Sequence, residues 1–310
     1  MGVYRPPPFF LNVIKNKLYS QLVCVAIYIL SFWVSYLLIP ERLIYLESIG
    51  KISFWVLVLI WHLYATISIY IFSVLLNNSS LYDPFWSVAP IPIVLVLSNG
   101  MSSLEIKLLV VIPITLWAIR LTRNWIISWE GFSHEDFRYQ DLKNTNKFQA
   151  ELNNLFGIHL IPTLIVNFGL FPLFYLVDVV QTDSSTLIYY LYLASIFTFL
   201  AVVLETVADE QMREFRDNPK NKGKTMKYKL WKYSRHPNYL GEVLFWYGIY
   251  FMGLSTGLLP LWLILCPTLM LALFIFISCP MMDKRSLKNR SDYAEYMRKT
   301  SMLLILPPKN

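Results

Sequence analysis

The chain has 310 residues, of which 56% are hydrophobic, 16% aromatic and only 15% charged, with a mean hydropathy of +0.47. Soluble domains carry about 25% charged residues, and several apolar runs reach the roughly 20 residues that cross a bilayer as a helix, so a soluble fold is excluded and an all-α, polytopic membrane bundle is expected. The net charge of +7 does not point to nucleic acid, because Lys and Arg flank the apolar runs as the positive-inside rule requires of cytosolic loops. There they can meet anionic headgroups or a phosphate-bearing cofactor. Cys24, Cys266 and Cys279 lie in or at the ends of apolar segments, with no spacing for zinc or a disulfide framework.

Residues 1–19 carry Arg5, Lys15, Lys17 and a Pro6-Pro7-Pro8 run that cannot be helical. The first apolar run lacks a small-residue cleavage site and reads as a retained helix, not a signal peptide. It spans 21–39 and stops at Pro40; a short linker of mixed charge at 40–51 leads to the second span, 52–76. His62 lies in that span beside Trp61 and Tyr64. An intramembrane His is a candidate for substrate contact, and among aromatics it serves equally as a hydrogen-bonded bundle residue.

The run after Asp83 reaches only Ser98 and contains Pro90 and Pro92. A short, broken helix at membrane depth is tolerated where it lines a cavity, which places the Asp83 carboxylate at the mouth of a kinked segment. Asp before Pro84 is also a common helix start, and capping does not exclude catalysis. The fourth span, 105–117, ends on Arg120 and Arg123, which at i, i+3 share a helix face. Such a pair can grip a phosphate or extend to lipid headgroups. The polar loop 128–156 contains His134-Glu135-Asp136-Phe137-Arg138-Tyr139. Its carboxylates are adjacent, so they do not converge on one helix face, and no metal is expected.

Residues 157–180 form the fifth span, kinked at Pro162 and Pro172; the turn 181–186 has no Lys or Arg and faces the lumen. The sixth span, 187–208, ends on Glu205 and Asp209, which share a face at i, i+4 and suit either acid/base work or recognition of ribose hydroxyls or an amide. The loop 209–238 is dense in Lys and Arg from Arg213 to Arg235 and is cytosolic. Spans 239–257 and 258–278 form a hairpin. The tail 280–310, with Lys284, Arg285, Arg290, Tyr293, Tyr296, Leu303 and Leu304, is expected to lie along the membrane surface over the cytosolic opening. About seven to eight spans result, with both termini cytosolic.

The chemistry concentrates in Tyr233-Ser234-Arg235-His236-Pro237-Asn238-Tyr239-Leu240-Gly241-Glu242. Pro237 sets the backbone at a helix start, Gly241 admits a close neighbour, and Glu242 enters the membrane and must be paired. Cations for phosphates, carboxylates for ribose or carboxamide and aromatics for stacking recur at the cytosolic helix ends: Arg120 and Arg123, Glu205, Asp209 and Arg213, Arg235 to Glu242, then Arg290 and Tyr296. That set fits a dinucleotide. No Gly-rich Rossmann fingerprint is present, so the cofactor would lie between helices.

The decapeptide at 233–242 resembles the signature of the steroid 5-alpha-reductase-like membrane family, in the branch that also carries Asp83-Pro84-Phe85-Trp86-Ser87, Glu205-Thr206-Val207-Ala208-Asp209-Glu210-Gln211 and a tail like Tyr293-Ala294-Glu295-Tyr296. The resemblance runs from about residue 80 to 309, giving an amino-terminal part, 1–80, and a catalytic part, 81–310. The shorter Arg-His-Pro-x-Tyr element also occurs in isoprenylcysteine and phospholipid methyltransferases.

The resemblance implies NADPH-dependent reduction of a carbon–carbon double bond conjugated to a ketone in a steroid-like lipid, in the endoplasmic reticulum membrane. It matches Asp83 to an acid that contacts the substrate carbonyl, Asp209, Asn238, Glu242 and Trp246 to cofactor positions, and Arg123 to an Arg near the diphosphate. With the residues above, the expected cofactor set is Arg123, Glu205, Asp209, Arg213, Arg235, His236, Asn238, Tyr239, Glu242, Trp246, Arg290 and Tyr296, with Trp86 and His62 toward substrate. Arg120 stands where the steroid reductases have a substrate-contacting Tyr, so Arg120 or Tyr82 becomes the group that polarises the ketone. Ser278-Cys279-Pro280 replaces a usual Gly before Pro. Two other readings stay open: an S-adenosylmethionine-dependent lipid or isoprenylcysteine methyltransferase, whose adjacent Glu pair is lacking in the tail, and a non-enzymatic sterol-binding protein on the same fold.

Overall fold

A computed structural model describes residues 16–51, 53–177 and 184–309. The expectations for Arg5, Lys15 and the proline run, for the start of the second span at residue 52 and for the turn at 178–183 fall outside them, as do the side chains of residues 184–187. The described residues are predominantly helical, and the one extended pairing among them is an isolated parallel bridge between Ser234 and Ser301. Six helical stretches are long and apolar enough to cross a membrane: Lys17–Leu37, Phe54–Leu75, Ser79–Asn99, Lys147–Leu176, Ile188–Asp217 and Leu261–Asn289. Leu104–Ser128, of 25 residues, and Pro237–Leu254, of 18, also have spanning length. The chain is a polytopic membrane helical bundle.

The helices gather into two compact units, Met1–Val96 with Trp117–Phe168 and Leu97–Leu116 with Gly169–Asn310.

In the first unit, α1 (Lys17–Leu37) starts where the Asn16 side chain accepts from Tyr19 N–H, and it buries Ser20, Cys24, Ile27, Tyr28, Ser31 and Ser35 along one stripe. The opposite side shows Leu22, Val25, Ile29 and Trp33 to lipid. Apolar packing gains little over acyl chains inside a bilayer, so packed faces favour small and hydrogen-bonding residues. Accordingly Ser31 Oγ meets Ser68 Oγ of α3 (Phe54–Leu75) at 2.9 Å. The short helix α2 (Glu41–Ser48) links the two.

A 3₁₀ turn at Ser79–Leu81, capped by Asn78, runs into α4 (Tyr82–Val88) and α5 (Pro90–Asn99). The break expected at the prolines falls at Ala89, between α4 and α5, and Pro90 opens the second helix where its missing N–H is not needed. Asp83 lies in the first turn of α4 and does not cap it, since Leu81 holds that position. Helix α6 (Leu104–Ser128) runs well past the expected end at residue 117. After α7 (Phe137–Lys143) and α8 (Lys147–Leu152) comes a widened π-helical stretch, Asn153–Leu160, immediately before Pro162 in α9 (Ile161–Leu170). A proline ring collides with the carbonyl four residues back, and a wider turn relieves the collision.

In the second unit, α10 (Ser184–Asp217) has 34 residues, a length of about 50 Å against a hydrocarbon core of about 30 Å. The expected end at residue 208 marks where hydropathy stops, not where the helix stops. Helix formers continue it, with an i, i+3 pair between Glu210 and Arg213. It ends before Asn218-Pro219, where the residue preceding proline is turned out of the helical region. Helix α11 (Pro237–Leu254) begins with Pro237 in its first turn. Then a 3₁₀ turn, α12 (Leu265–Leu273), a second π-helical stretch before Pro280 and α13 (Cys279–Asn289) form one continuous rod. Helix α14 (Tyr293–Lys299) follows.

Helices α10 and α11 meet through glycines. A Cβ on Gly241 would lie 2.6 Å from Glu205 Cγ and 3.0 Å from Ala201 O, and one on Gly248 would lie 3.0 Å from Thr198 Cα. Backbone atoms cannot step aside, so Gly248→Ala is expected to destabilise the bundle by about 1–3 kcal/mol, read as a lowered thermal midpoint in detergent. An unchanged midpoint would show that the two helices separate freely.

Candidate functional site

In the first unit, the polar loop before α7 is pinned to the start of α4. Asn78 Nδ2 donates to Phe132 O and His134 O at 2.9 and 3.0 Å, Asp136 N–H donates to Ser80 Oγ at 2.8 Å, and Ser79 N–H donates to Glu135 Oε1 at 2.7 Å. This pinning carries Arg138 and Tyr139 onto Asp83. Tyr139 Oη donates to Asp83 Oδ1, and Arg138 Nη2 lies 3.3 Å from the same oxygen. Asp136 caps α7 and pairs with Arg138 Nε at 2.8 Å. Burial pushes the Tyr139 hydroxyl above its ordinary value and the Asp83 carboxylate adds to the shift, so Tyr139 keeps its proton and acts as a donor. Sequence reasoning saw this loop only as a metal candidate. Among the described residues no group of three or more His, Cys, Asp or Glu is placed to hold a metal ion.

Tyr82 is buried, with its hydroxyl 2.8 Å from Thr163 Oγ1; Thr163 is 2.9 Å from Thr66 Oγ1, which donates to His62 O at 2.8 Å. A backbone carbonyl only accepts, so the direction of the whole chain follows. Thr66 gives its hydrogen to His62 O, Thr163 gives its hydrogen to Thr66, and Tyr82 gives its hydrogen to Thr163. The Tyr82 proton is thus committed inside the bundle, which argues against Tyr82 as the group that polarises a ketone in this arrangement. Trp86 makes an edge-on contact with Trp117, ring centroids 5.7 Å apart. Arg120 is buried while Arg123 is exposed. They do not share an environment as expected: three residues leave about 60° between side chains, enough to put one inside and one outside.

In the second unit, the loop before α11 is stitched to the tail. Arg235 N–H donates to Ser301 O at 2.8 Å, Ser234 Oγ to Leu303 O at 2.7 Å and Leu306 N–H to Tyr233 O at 3.1 Å. Tyr296 Oη reaches Trp231 O at 2.5 Å and Ser234 O at 3.2 Å. The tail is therefore tied to the motif by backbone pairing, a closer attachment than the surface position expected of it.

At the centre lies Asp283, 5% exposed. It takes Arg235 Nη2 at 2.9 Å, His236 Nε2 at 3.0 Å and the Tyr293 hydroxyl. Burial raises the Tyr293 pKa and the hydrogen bond to Asp283 raises it further. Arg235 Nη1 donates to Met297 O at 2.8 Å. Arg235 and His236 thus hold the loop and tail together through Asp283. Asp283 was missed as a site residue; its only sequence signal is an acid soon after the proline of an apolar run.

The rest of the motif turns toward α10. Asn238 Nδ2 donates to Asp209 Oδ1 at 3.0 Å, while Asn238 Oδ1 is buried and has no hydrogen-bond partner among the described residues. The Tyr239 ring stacks on His236, centroids 5.3 Å apart and 11° between planes. Glu242, 2% exposed, accepts from Trp246 Nε1 at 2.8 Å, and the indole lies against Gly169. Glu205 is buried where Gly241 passes it. Arg213 pairs with Glu210, and Arg290 is half-buried at the end of α13. An apolar cleft of about 460 Å³, lined by Tyr190, Phe197 and Phe251 among others, lies at the other end of α10 and α11, roughly 20 Å along α11 from Asn238.

No curated protein and no solved structure matches the chain. A family model described as "Protein of unknown function (DUF1295)" matches residues 69–300, a stretch that takes in α4, α10, the loop around Asn238 and Asp283. With most of its length covered by that match, the chain belongs to the DUF1295 family.

Proposed function

We propose that the protein is a membrane-embedded reductase that uses NADPH to saturate a carbon–carbon double bond conjugated to a ketone in a steroid-like or other apolar lipid. The resemblance of 83–87, 205–211 and 233–242 to the steroid 5-alpha-reductase-like family supports the reading. The observation that carries it is Asn238 Oδ1, a buried acceptor without a partner on a residue whose amide nitrogen is held by Asp209. Leaving such an atom unsatisfied costs about 1–3 kcal/mol, and the carboxamide nitrogen of a nicotinamide is a donor that would satisfy it.

Asn238, Asp209 and Glu205 would hold the nicotinamide end, with Glu242 and Trp246 packed behind them. Arg213 and Arg290 would meet phosphates, and Tyr239 offers a ring face. Arg235, His236 and Tyr296 act by positioning, since their polar groups hold the loop and tail. When bound, NADPH supplies a hydride to the β carbon of the enone. One proton must also reach the α carbon; we propose that Asp83 in its protonated form gives it from Oδ2 while Oδ1 keeps Tyr139 and Arg138, the carboxylate left behind being held by Arg138, with buried Arg120 polarising the ketone. Trp86 would line the substrate side. The basic loops favour, by the positive-inside rule, a cytosolic side for the cofactor residues and both termini, and the endoplasmic reticulum is the membrane the resemblance implies.

The test is calorimetry on protein in lipid nanodiscs. Wild type should bind NADPH, and Asn238→Ala should weaken binding about tenfold, the worth of one hydrogen bond, as should Asp209→Ala. Absence of NADPH binding in wild type, or undisturbed binding in both variants, would sink the reading. Strong binding of S-adenosylhomocysteine in its place would favour the methyltransferase.

A further inference from the structure

We infer that the first unit contains a binding site for a single hydroxyl group, inside the bundle between α3 and α9. His62 on α3 and Asn167 on α9 are buried, at 0% and 1% exposure. Asn167 Nδ2 lies 3.3 Å from His62 Nδ1. Two further atoms of the pair, His62 Nε2 and Asn167 Oδ1, are buried and have no hydrogen-bond partner.

The roles of these two atoms follow from the one bond that is made. If the Asn167 amide nitrogen donates, His62 Nδ1 accepts, and a neutral imidazole then carries its hydrogen on Nε2. Besides the second amide hydrogen, the pair is left with a donor on the imidazole, Nε2–H, and an acceptor, Oδ1. Amide orientation is interchangeable at this level, but turning it over gives the same balance. Nδ1–H then donates to the amide oxygen, leaving Nε2 as a bare acceptor and the two amide N–H groups as donors. Either way the complementary group gives one hydrogen bond and takes one. A hydroxyl does both. A ketone or ester carbonyl only accepts, and an ammonium only donates.

No group among the described residues hydrogen-bonds either atom. The hydroxyls of Tyr82, Thr163 and Thr66 form the directed chain that ends on His62 O. Phe85 presents its ring to the imidazole, centroids 5.9 Å apart, so that side is apolar. Buried polar atoms in native proteins have partners with few exceptions, and inside a membrane span an unsatisfied pair marks a ligand or an ordered water. The hydroxyl belongs to an apolar lipid alcohol or to water; the recognition chemistry is the same. The inference does not depend on the reductase reading, because it invokes neither NADPH nor turnover.

Two measurements on the protein in lipid nanodiscs decide it. The first compares binding of a tritiated sterol alcohol and of hexadecanol with their methyl ethers, which accept but cannot donate. A lipid hydroxyl in the site predicts that one alcohol binds about tenfold more tightly than its ether, and that His62→Phe and Asn167→Leu bring the ratio near one. The second is hydroxyl-radical footprinting of the wild-type protein without added lipid, which does not require the variants to fold. Water in the site predicts that His62 is oxidised as fast as a water-contacting side chain despite its burial, with alcohols and ethers binding alike. Each outcome supports the site and identifies the source of the hydroxyl. Equal binding of alcohols and ethers together with a protected His62 would overturn the inference.

Discussion

Asp283→Ala is expected to destabilise the protein by about 3–5 kcal/mol, the cost of removing one partner from a buried ion pair. Asp283 and Arg235 have side chains 6% and 9% exposed, so water cannot replace the lost carboxylate. The substitution leaves the guanidinium, the His236 imidazole and the Tyr293 hydroxyl without their common acceptor. The result would appear as a lower thermal midpoint and as earlier proteolysis of the tail. Asp283→Asn keeps an acceptor and should cost less. Asp283→Leu combined with Arg235→Met should recover part of the loss, since the penalty comes from the stranded charge more than from the missing attraction. Wild-type stability in Asp283→Ala would mean that the network contributes nothing.

Asp83→Asn is expected to lower kcat for reduction of an enone lipid by about 100-fold or more, the usual range for loss of a general acid, with NADPH affinity unchanged. An asparagine can still accept from Tyr139 and Arg138, so the local structure should survive and only the proton is lost. Tyr139→Phe should have a smaller effect, because Arg138 continues to hold the carboxylate at 3.3 Å. A fall in kcat for Asp83→Asn with an unaltered thermal midpoint separates a chemical role from a structural one. Full turnover in Asp83→Asn would remove Asp83 from the reaction.

Parts of the candidate site were legible before any coordinates. The adjacency of Asn238 to Glu242 and the i, i+4 relation of Glu205 and Asp209 are local facts of helix geometry, and α10 and α11 carry them as expected. The polar series His159, Thr163 and Asn167, each four residues from the next, was equally readable as one face of a span and was passed over. The partners were not legible. Asp83 finds Tyr139 and Arg138 because Asn78, Ser79 and Ser80 capture the loop that bears them. Arg235 looked like a phosphate ligand until Asp283, on another helix, was found to hold it.

Hydropathy, charge and proline positions are properties of short segments, and they alone determined that this chain is a helical membrane bundle with basic loops and a polar motif at a helix start. Which polar groups meet is decided by helices far apart in sequence. His62 and Asn167 are 105 residues apart, and only packing brings them together. The same holds for the direction of the Tyr82 hydroxyl and for the opposite fates of Arg120 and Arg123. A buried polar group in a low-dielectric interior must find its partner in space, and one dimension of sequence does not contain that distance.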